Sequence, residues 1–277
     1  MLKRAYIEIT NICNLACSFC PGTRRAPRTM TAEEFTALAR KLRGRVKYLY
    51  LHVMGEPLLH PQLAGILAAG GELGFKLCIT TNGTLASQRQ AELLAAPALH
   101  KVSISLHSFE EGSEESYRQY MSGIADFAEA ASEAGTIVVL RLWNRGFDNG
   151  RNDLALNFLH SRFTEPWTEN TKGYRIRPKF FLEWGDRFEW PDKEAPIQGE
   201  NVFCYGMRDH FGILCDGSVV PCCLDSDGVI TLGNIFTEEI SDILNGPRAR
   251  AIVEGFSCRR ASEELCRRCG YAQRFSL

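Results

Sequence analysis

The sequence predicts an α/β fold built on a parallel β-sheet, and two features indicate it. Up to about residue 180, short apolar segments rich in β-branched and aromatic residues alternate with longer segments of helical periodicity. Strands that alternate with helices form βαβ units, whose strands run parallel. The chain has 277 residues and 45% hydrophobic side chains, enough for one large domain or for one domain with an appendage. Periodicity alone leaves a doubly wound sheet and an incomplete barrel equally open.

Six short segments are predicted as strands because β-branched, aromatic and other apolar residues dominate them. They are Arg4–Thr10, Tyr48–Val53, Lys76–Thr80, Val102–Leu106, Thr136–Leu142 and Arg175–Leu182. Five segments between them have the helical period. They are Ala32–Leu42, Gln62–Leu73, Gln88–Ala95, Glu114–Ala134 and the weaker Arg151–Phe163. Thr31 precedes the first helix and can cap its N-terminus.

The last third of the chain has a different character. Residues 184–203 are rich in turn-forming and aromatic residues, which indicates a connector. Beyond them, Cys215–Ser218 is predicted to turn between two short strands, and a short helix is predicted around Glu238–Leu244. We therefore predict three parts, which are residues 1–183, 184–203 and 204–277.

Composition and charge restrict the partners of the protein. The net charge of −1 creates no overall field that attracts nucleic acid or an acidic membrane. The first residues lead into a strand without an apolar signal segment, and no run of eighteen apolar residues follows. Eleven cysteines without a signal sequence indicate the reducing cytoplasm, where clustered thiols more often bind metal than form disulfides.

Cys13, Cys17 and Cys20 follow the first predicted strand with the spacing C-x3-C-x2-C. Three thiolates so close in sequence can hold three corners of a [4Fe–4S] cubane and leave the fourth iron open to a small molecule. Structural zinc is the main alternative, although it usually takes four protein ligands in paired C-x2-C units. A disulfide would require an oxidising compartment and would not explain the spacing.

The triplet on the first strand-to-helix loop, together with the repeated βα units, resembles the radical S-adenosylmethionine (radical SAM) superfamily. The resemblance implies a partial (β/α)6 TIM-like barrel with its site at the C-terminal ends of the strands. It also implies that SAM binds the fourth iron through its amino and carboxylate groups. An electron from the cluster would then cleave SAM, and the 5′-deoxyadenosyl radical would abstract a hydrogen atom from the substrate.

Several residues at the predicted strand ends match positions at which this family binds SAM. Met54-Gly55-Glu56-Pro57 looks like the GGE motif with Met54 in place of the first glycine, so a backbone carbonyl there and the Glu56 carboxylate are expected to accept hydrogen bonds from the SAM ammonium. A simple turn is the alternative. The resemblance implies further cofactor contacts from Phe19 near the adenine, from Thr81 and Asn82, and from Ser105.

Three polar residues are candidates for acid–base or substrate-binding roles, namely His107, Arg141 and Tyr117. A lone histidine is more often structural, and Arg141 in an apolar strand would suit either an anionic ligand or a structural ion pair. Arg24, Arg25 and Arg28 form a solvated loop or a docking site for an acidic reductant of the flavodoxin or ferredoxin type.

A second group of cysteines lies near the C-terminus. Cys204 and Cys222 have the spacing C-x12-G-x4-C, and Cys266 and Cys269 form C-x2-C. This arrangement resembles the SPASM/twitch extension of radical SAM enzymes, and its shorter twitch form implies one auxiliary [4Fe–4S] cluster with these four ligands. A zinc site is the alternative, and it is stronger here than at the first site. The cysteines left over are Cys215, Cys223 and Cys258.

The resulting hypothesis is a radical SAM oxidoreductase that dehydrogenates a small polar molecule. The twitch-type dehydrogenase that converts an aminocyclitol alcohol to a ketone has a similar layout. One alternative is a maturase of a ribosomally synthesised peptide. Because the first strand begins so near Met1, such a maturase would need a separate protein to recognise the leader peptide. An alternative of another class is a non-catalytic zinc-binding module or iron–sulfur electron carrier.

Overall fold

The computed structural model describes residues 2–148, 150–199 and 201–275. One sheet contains eleven strands in the order β11-β10-β9-β1-β2-β3-β4-β5-β8-β7-β6. The strands are β1 (Arg4–Ile7), β2 (Tyr48–Tyr50), β3 (Lys76–Thr81), β4 (Leu99–Ser105), β5 (Ile137–Arg145), β6 (Thr168–Asn170), β7 (Gly173–Arg177), β8 (Phe180–Asp186), β9 (His210–Ile213), β10 (Ser218–Val220) and β11 (Gly233–Asn234). The helices are α1 (Ala32–Leu42), α2 (Leu63–Glu72), α3 (Ala86–Leu94), α4 (Glu114–Glu133), α5 (Arg151–Arg162), α6 (Ile240–Leu244), α7 (Pro247–Ser257) and α8 (Glu264–Arg267).

The central strands decide between the two folds that periodicity left open. β1, β2, β3, β4, β5 and β8 are parallel neighbours in chain order, and α1 to α5 connect them. A doubly wound sheet would reverse its order at a switch point, whereas a barrel keeps the order of the chain. The prediction of a partial barrel in an α/β fold is therefore confirmed.

Helix α1 illustrates why the predicted helices form where they do. Thr31 accepts a hydrogen bond from the Glu34 backbone, and the Glu34 carboxylate accepts one from the Thr31 backbone, which completes a capping box. Phe35, Leu38 and Leu42 recur at the helical period and are fully buried in the main core. Among the described residues, no helix combines the length and the apolar character that crossing a bilayer would require.

The sixth predicted strand, Arg175–Leu182, is wrong as a single segment. The chain instead forms an antiparallel hairpin, in which β7 ends at Arg177, β8 begins at Phe180, and Arg175 pairs with Phe181. Pro178 and Lys179 make the turn, and Lys179 has a positive φ of 63°. Both arms are rich in strand-forming residues, so composition concealed the turn between them.

The C-terminal region continues the same sheet. β9 is parallel to β1, and the register pairs Arg4 with His210. The predicted turn at Cys215–Ser218 is confirmed, because β9 and β10 form a hairpin and Gly217 N donates to Leu214 O at 2.9 Å. Helix α7 was not predicted. Pro247 stands in its first turn, where the missing N–H of proline costs nothing.

Candidate active site and metal centres

Cys13, Cys17 and Cys20 lie in a segment with neither helix nor strand, residues 11–28, which we call the cluster loop. Cys13 and Cys20 are exposed and Cys17 is half-buried. Burial, the Glu110 carboxylate and then the other two thiols raise the pKa of Cys17 to about 12. Thiols grouped in this way fit a cationic metal group, because metal binding supplies the charge that deprotonates them.

Contacts from the neighbouring strand ends hold this loop. The backbone N and Oγ of Ser18 both donate to the Glu110 carboxylate at 2.5 Å. The Cys17 thiol donates to Ser108 O at 3.6 Å, and the Asn82 amide stands 4.0 Å from the Cys13 sulfur. No motif marked Glu110 in the sequence. The only available signal was its position just beyond the end of the fourth predicted strand.

The Glu56 carboxylate is buried and already has three donors. Its Oε1 accepts from Leu58 N at 2.9 Å and from Thr81 Oγ1 at 2.7 Å, and its Oε2 accepts from Asn82 N at 2.7 Å. Burial raises the pKa of Glu56, and these hydrogen bonds oppose that effect. Glu56 therefore joins the segment that follows β2 to the end of β3, and its three hydrogen bonds leave little of its carboxylate for the predicted SAM ammonium.

Gly55 allows this strand end to approach the cluster loop. Its φ is +76°, and a Cβ there would stand 2.8 Å from the carbonyl carbon of Asn11 and even closer to Thr10 O. The following residue, Glu56, donates its backbone N–H to Ile12 O at 2.9 Å. Only glycine fits such a backbone contact, so the motif residues and the loop form one packed unit.

A cavity of about 710 Å³ connects the barrel with the C-terminal region. Its wall includes these predicted site residues: Phe19, Ser105, His107, Arg141, Cys204, Cys222, Cys266 and Cys269. The structure thus brings four of the twelve residues predicted for the first site together with the second site. The other predicted residues lie outside this wall: Cys13, Cys17, Cys20, Gly55, Glu56, Thr81, Asn82 and Tyr117. Tyr6, His52 and His210 also line this cavity, and no motif in the sequence marked them.

Arg141 lies beside Ser105 in the register of β4 and β5. Its guanidinium carbon stands 3.7 Å from the centre of the Trp143 ring, and its Nη1 donates to Thr80 Oγ1 at 3.4 Å. Within the described part of the chain it has no carboxylate at ion-pair distance. A half-buried arginine without an ion pair on a cavity wall suits an anionic ligand.

His107 is held by the backbone of β5. Its Nδ1 lies 3.0 Å from Arg141 O and 3.3 Å from Trp143 N, and its ring centre is 4.8 Å from that of Phe19. Burial lowers the pKa of His107 to about 4, so the imidazole is neutral at neutral pH. These contacts match the structural role that was the alternative for this residue.

Tyr117 does not line the larger cavity, unlike the other two candidates, His107 and Arg141. Its hydroxyl donates to Arg151 O at 3.3 Å, and burial raises its pKa to about 12. It lines a separate cavity of about 220 Å³, whose wall also includes Phe19 and His107. The structure therefore does not place Tyr117 with Arg141 on the wall of the larger cavity.

Cys204, Cys222, Cys266 and Cys269 form a group of partly buried thiols, which we call the cysteine quartet. Burial raises the pKa of each thiol, and the charges of neighbouring thiols add to this effect at all but Cys204. Gly206 N donates to the Cys204 sulfur at 3.3 Å, a contact of the kind that tunes iron–sulfur clusters. A Cβ on Gly206 would stand 3.6 Å from the same sulfur. The donor chemistry of the quartet therefore fits a metal group.

The other C-terminal cysteines have different surroundings. Cys223 is next to Cys222 in sequence and also lines the larger cavity, but it packs against the apolar cluster that includes Val53 and Met54. The buried Cys215 thiol donates to Glu8 O at 3.2 Å, and Cys258 is exposed at the end of α7. Across residues 2–148, 150–199 and 201–275, no three His, Cys, Asp or Glu side chains converge on one point as the ligands of a single ion would. A [4Fe–4S] cubane does not require its ligands to converge on one point, since each of its thiolates binds a different iron.

The arginines that follow the triplet are not equivalent. Arg25 binds the fully buried Glu8 at 2.6 Å, and Arg28 pairs with Glu34 at 2.5 Å, while Arg24 is exposed. The hypothesis that all three dock a reductant therefore does not hold for Arg25, because its charge is committed inside the protein.

Comparison with known proteins identifies two domains in the chain. Residues 7–146 match the radical SAM superfamily, and residues 204–270 match SPASM, an iron–sulfur cluster-binding domain. A GTP 3′,8-cyclase from Synechococcus sp. (strain WH7803) is 31% identical over 288 aligned residues, which cover 93% of this chain and 80% of the cyclase.

Two solved structures share the fold. BtrN in complex with AdoMet and 2-DOIA is 18% identical, with a TM-score of 0.61 over 97% of this chain and 93% of BtrN. Streptococcus suis SuiB bound to the precursor peptide SuiA is also 18% identical, with a TM-score of 0.54 over 99% of this chain and 70% of SuiB.

The two domain matches establish the cofactors, which are [4Fe–4S] clusters and SAM. The first match covers half of the chain, and the cyclase aligns along most of it. The chain is therefore an enzyme of the radical SAM superfamily that carries a C-terminal SPASM-type iron–sulfur domain.

Proposed function

We propose that this enzyme cleaves SAM reductively at a [4Fe–4S] cluster held by Cys13, Cys17 and Cys20, and that it dehydrogenates a small polar substrate. The observation that carries the proposal is the single cavity whose wall includes Phe19, Ser105 and Arg141 as well as the cysteine quartet. A substrate there would lie between the groups expected to bind SAM and a second metal centre.

The residues of the first site have distinct proposed roles. Ser105 and Arg141 are neighbours at the cavity wall, and the unpaired guanidinium would bind the SAM carboxylate. Phe19 lies where it could contact the adenine. Glu56 acts indirectly, because it fixes Thr81 and Asn82, and Asn82 in turn contacts the cluster loop. When bound, the cluster and SAM supply a 5′-deoxyadenosyl radical that abstracts a hydrogen atom.

The cysteine quartet suggests an oxidative outcome. Removal of a hydrogen atom leaves a substrate radical, which must lose one further electron and one proton to complete a dehydrogenation. An iron–sulfur cluster held by the quartet could accept that electron, because the quartet lines the same cavity. The proton would leave to solvent or to a basic group of the substrate. A one-electron carrier of the flavodoxin or ferredoxin type would, in its reduced form, return one electron to the first cluster and, in its oxidised form, take one electron from the second.

The dimensions of the cavity favour a small substrate. A volume of about 710 Å³ falls within the range of about 300–1,000 Å³ that is usual for small-molecule sites. Its wall combines aromatic rings, such as Trp143 and Trp190, with the charged Arg4 and Arg141. A peptide substrate is the second candidate, and the likeness to SuiB bound to its precursor peptide supports it.

Anaerobic reconstitution followed by an assay for 5′-deoxyadenosine with dithionite tests the cleavage step. The wild-type protein is expected to release 5′-deoxyadenosine, and a variant with alanine at Cys13, Cys17 and Cys20 is not. Replacing Cys266 and Cys269 should remove about four irons per chain and leave some cleavage. A wild-type protein that binds iron and sulfide but releases no 5′-deoxyadenosine would refute the proposal.

A further inference from the structure

The segment that follows Cys20 is attached to the C-terminal region. Thr23 Oγ1 lies 2.8 Å from Asp227 Oδ1, and Arg24 N donates to the same oxygen at 2.8 Å. Arg25 Nε donates to Ser226 O at 2.9 Å. Ser226 and Asp227 come shortly after Cys222 of the quartet, so the connection begins next to the second metal centre.

Arg25 extends this connection into the barrel. Its Nη2 lies 2.6 and 2.7 Å from the two carboxylate oxygens of Glu8, which is fully buried just after the end of β1. The same carboxylate accepts from Met54 N at 3.2 Å and from Cys215 N at 3.1 Å. One buried carboxylate thus joins the cluster loop, the segment before Gly55 and the turn between β9 and β10.

The cluster loop has no regular structure of its own, so its position depends on side-chain contacts in addition to backbone hydrogen bonds such as Glu56 N to Ile12 O. A buried, charge-assisted pair is directional and is screened little by water. The neighbouring Arg28–Glu34 pair provides a contrast. It has a similar N···O distance of 2.5 Å, but its side chains are 42% and 32% exposed, against 16% and 0% for Arg25 and Glu8. Exposed pairs contribute little.

We propose that Arg25 and Glu8 are positioning residues, and that with Ser226 and Asp227 they form a clamp by which the C-terminal region sets the position of the cluster loop for SAM. This inference rests on the proposed function. Neither Arg25 nor Glu8 lies on the cavity wall, so both act through the loop and not on the substrate. The clamp also links the two metal centres, because Asp227 follows shortly after Cys222 in the chain.

Three variants test the clamp. Arg25→Gln removes the guanidinium from the buried carboxylate. Asp227→Ala removes the acceptor of Thr23 Oγ1 and Arg24 N, and so weakens the attachment of the loop to the C-terminal side without leaving a buried charge unpaired. Arg28→Gln is the matched control, since it removes an arginine of the same loop from an exposed pair. Each protein is reconstituted anaerobically, and its iron content, thermal unfolding and cluster EPR spectrum with and without SAM are measured together with SAM cleavage.

For Arg25→Gln we expect iron content near that of the wild type, a diminished SAM-induced change in the EPR spectrum and a cleavage rate about 10- to 100-fold lower, the usual effect of misplacing a reactive group by about an ångström. Asp227→Ala should also diminish the SAM-induced EPR change and the cleavage rate, but by less. Arg28→Gln should match the wild type in both. Arg25→Lys should recover only part of the loss, because lysine lacks the second donor that reaches Ser226 O.

The outcomes separate this inference from the proposed function. If the wild type does not cleave SAM, the proposed function fails. If the wild type cleaves SAM and Arg25→Gln behaves like Arg28→Gln, the clamp is refuted and the proposed function stands. If Arg25→Gln fails to fold, Asp227→Ala decides, and a normal SAM response in that variant overturns the inference.

Discussion

Replacing Glu56 with alanine tests whether this residue organises the site before any cofactor binds. The change leaves two buried backbone N–H groups, those of Leu58 and Asn82, without their acceptor. Each such group costs about 1–3 kcal/mol when it is left unpaired. Because burial raises the pKa of Glu56, removing the charge recovers part of this cost, and we expect a net loss of about 3 kcal/mol.

Urea unfolding of the metal-free protein measures this loss directly. Glu34→Ala is a suitable control, because Glu34 also accepts a backbone N–H, from Thr31 at 2.9 Å, but on the surface. We expect that control to cost about 1 kcal/mol. If Glu56→Ala costs no more than the control and yet abolishes SAM cleavage, Glu56 acts as a direct ligand and does not organise the strand ends.

Three further predictions concern the second site and the candidate catalytic residues. Cys222→Ser should lose about four irons per reconstituted chain and Cys223→Ser none, since the charges of Cys204, Cys266 and Cys269 all raise the pKa of Cys222, whereas Cys223 packs against the apolar cluster that includes Val53 and Met54. The reverse result would exchange their roles. Burial lowers the pKa of His107 to about 4, so between about pH 4 and 6.5 the unfolded chain binds the extra proton. The unfolding free energy should therefore fall on acidification, by about 2 kcal/mol at pH 5 from this residue, and His107→Asn should flatten the profile. Tyr117→Phe removes one hydrogen bond to Arg151 O, so it should cost about 1 kcal/mol and leave SAM cleavage within about twofold. If Tyr117→Phe instead loses most of its SAM cleavage without losing stability, Tyr117 has a role in proton transfer.

The strands and helices of the barrel could be predicted because each has a local signature. The bounds of α1 are as predicted, since Thr31 marks its beginning and the apolar period ends at Leu42. The hairpin of β7 and β8 could not be found in this way, because the turn at Pro178 and Lys179 lies between two arms of similar composition. The β-propensity of individual residues identifies extended segments but does not determine which strand each segment pairs with.

The candidate site likewise combines features that local sequence predicts with contacts that it does not. The cysteine spacings are local, so sequence was enough to predict both groups of thiols. Two of the three donors to Glu56 come from Thr81 and Asn82 at the end of β3, and the partners of Arg25 are Glu8, just after β1, and Ser226, some 200 positions away in the chain. Such contacts depend on tertiary structure, and no spacing in the sequence encodes them. For this reason the sequence pattern predicts Glu56 as a ligand and Arg25 as a surface charge.

The pairing of β9 with β1 has a consequence for engineering the enzyme. Four residues of β9 cover the flank of the first barrel strand, from Arg4 to Ile7. A truncated chain that stopped before β9 would expose that flank as a bare row of N–H and C=O groups, which invites aggregation through edge-to-edge pairing. Chimaeras that exchange the auxiliary domain should therefore retain His210–Ile213 and join the foreign sequence after it.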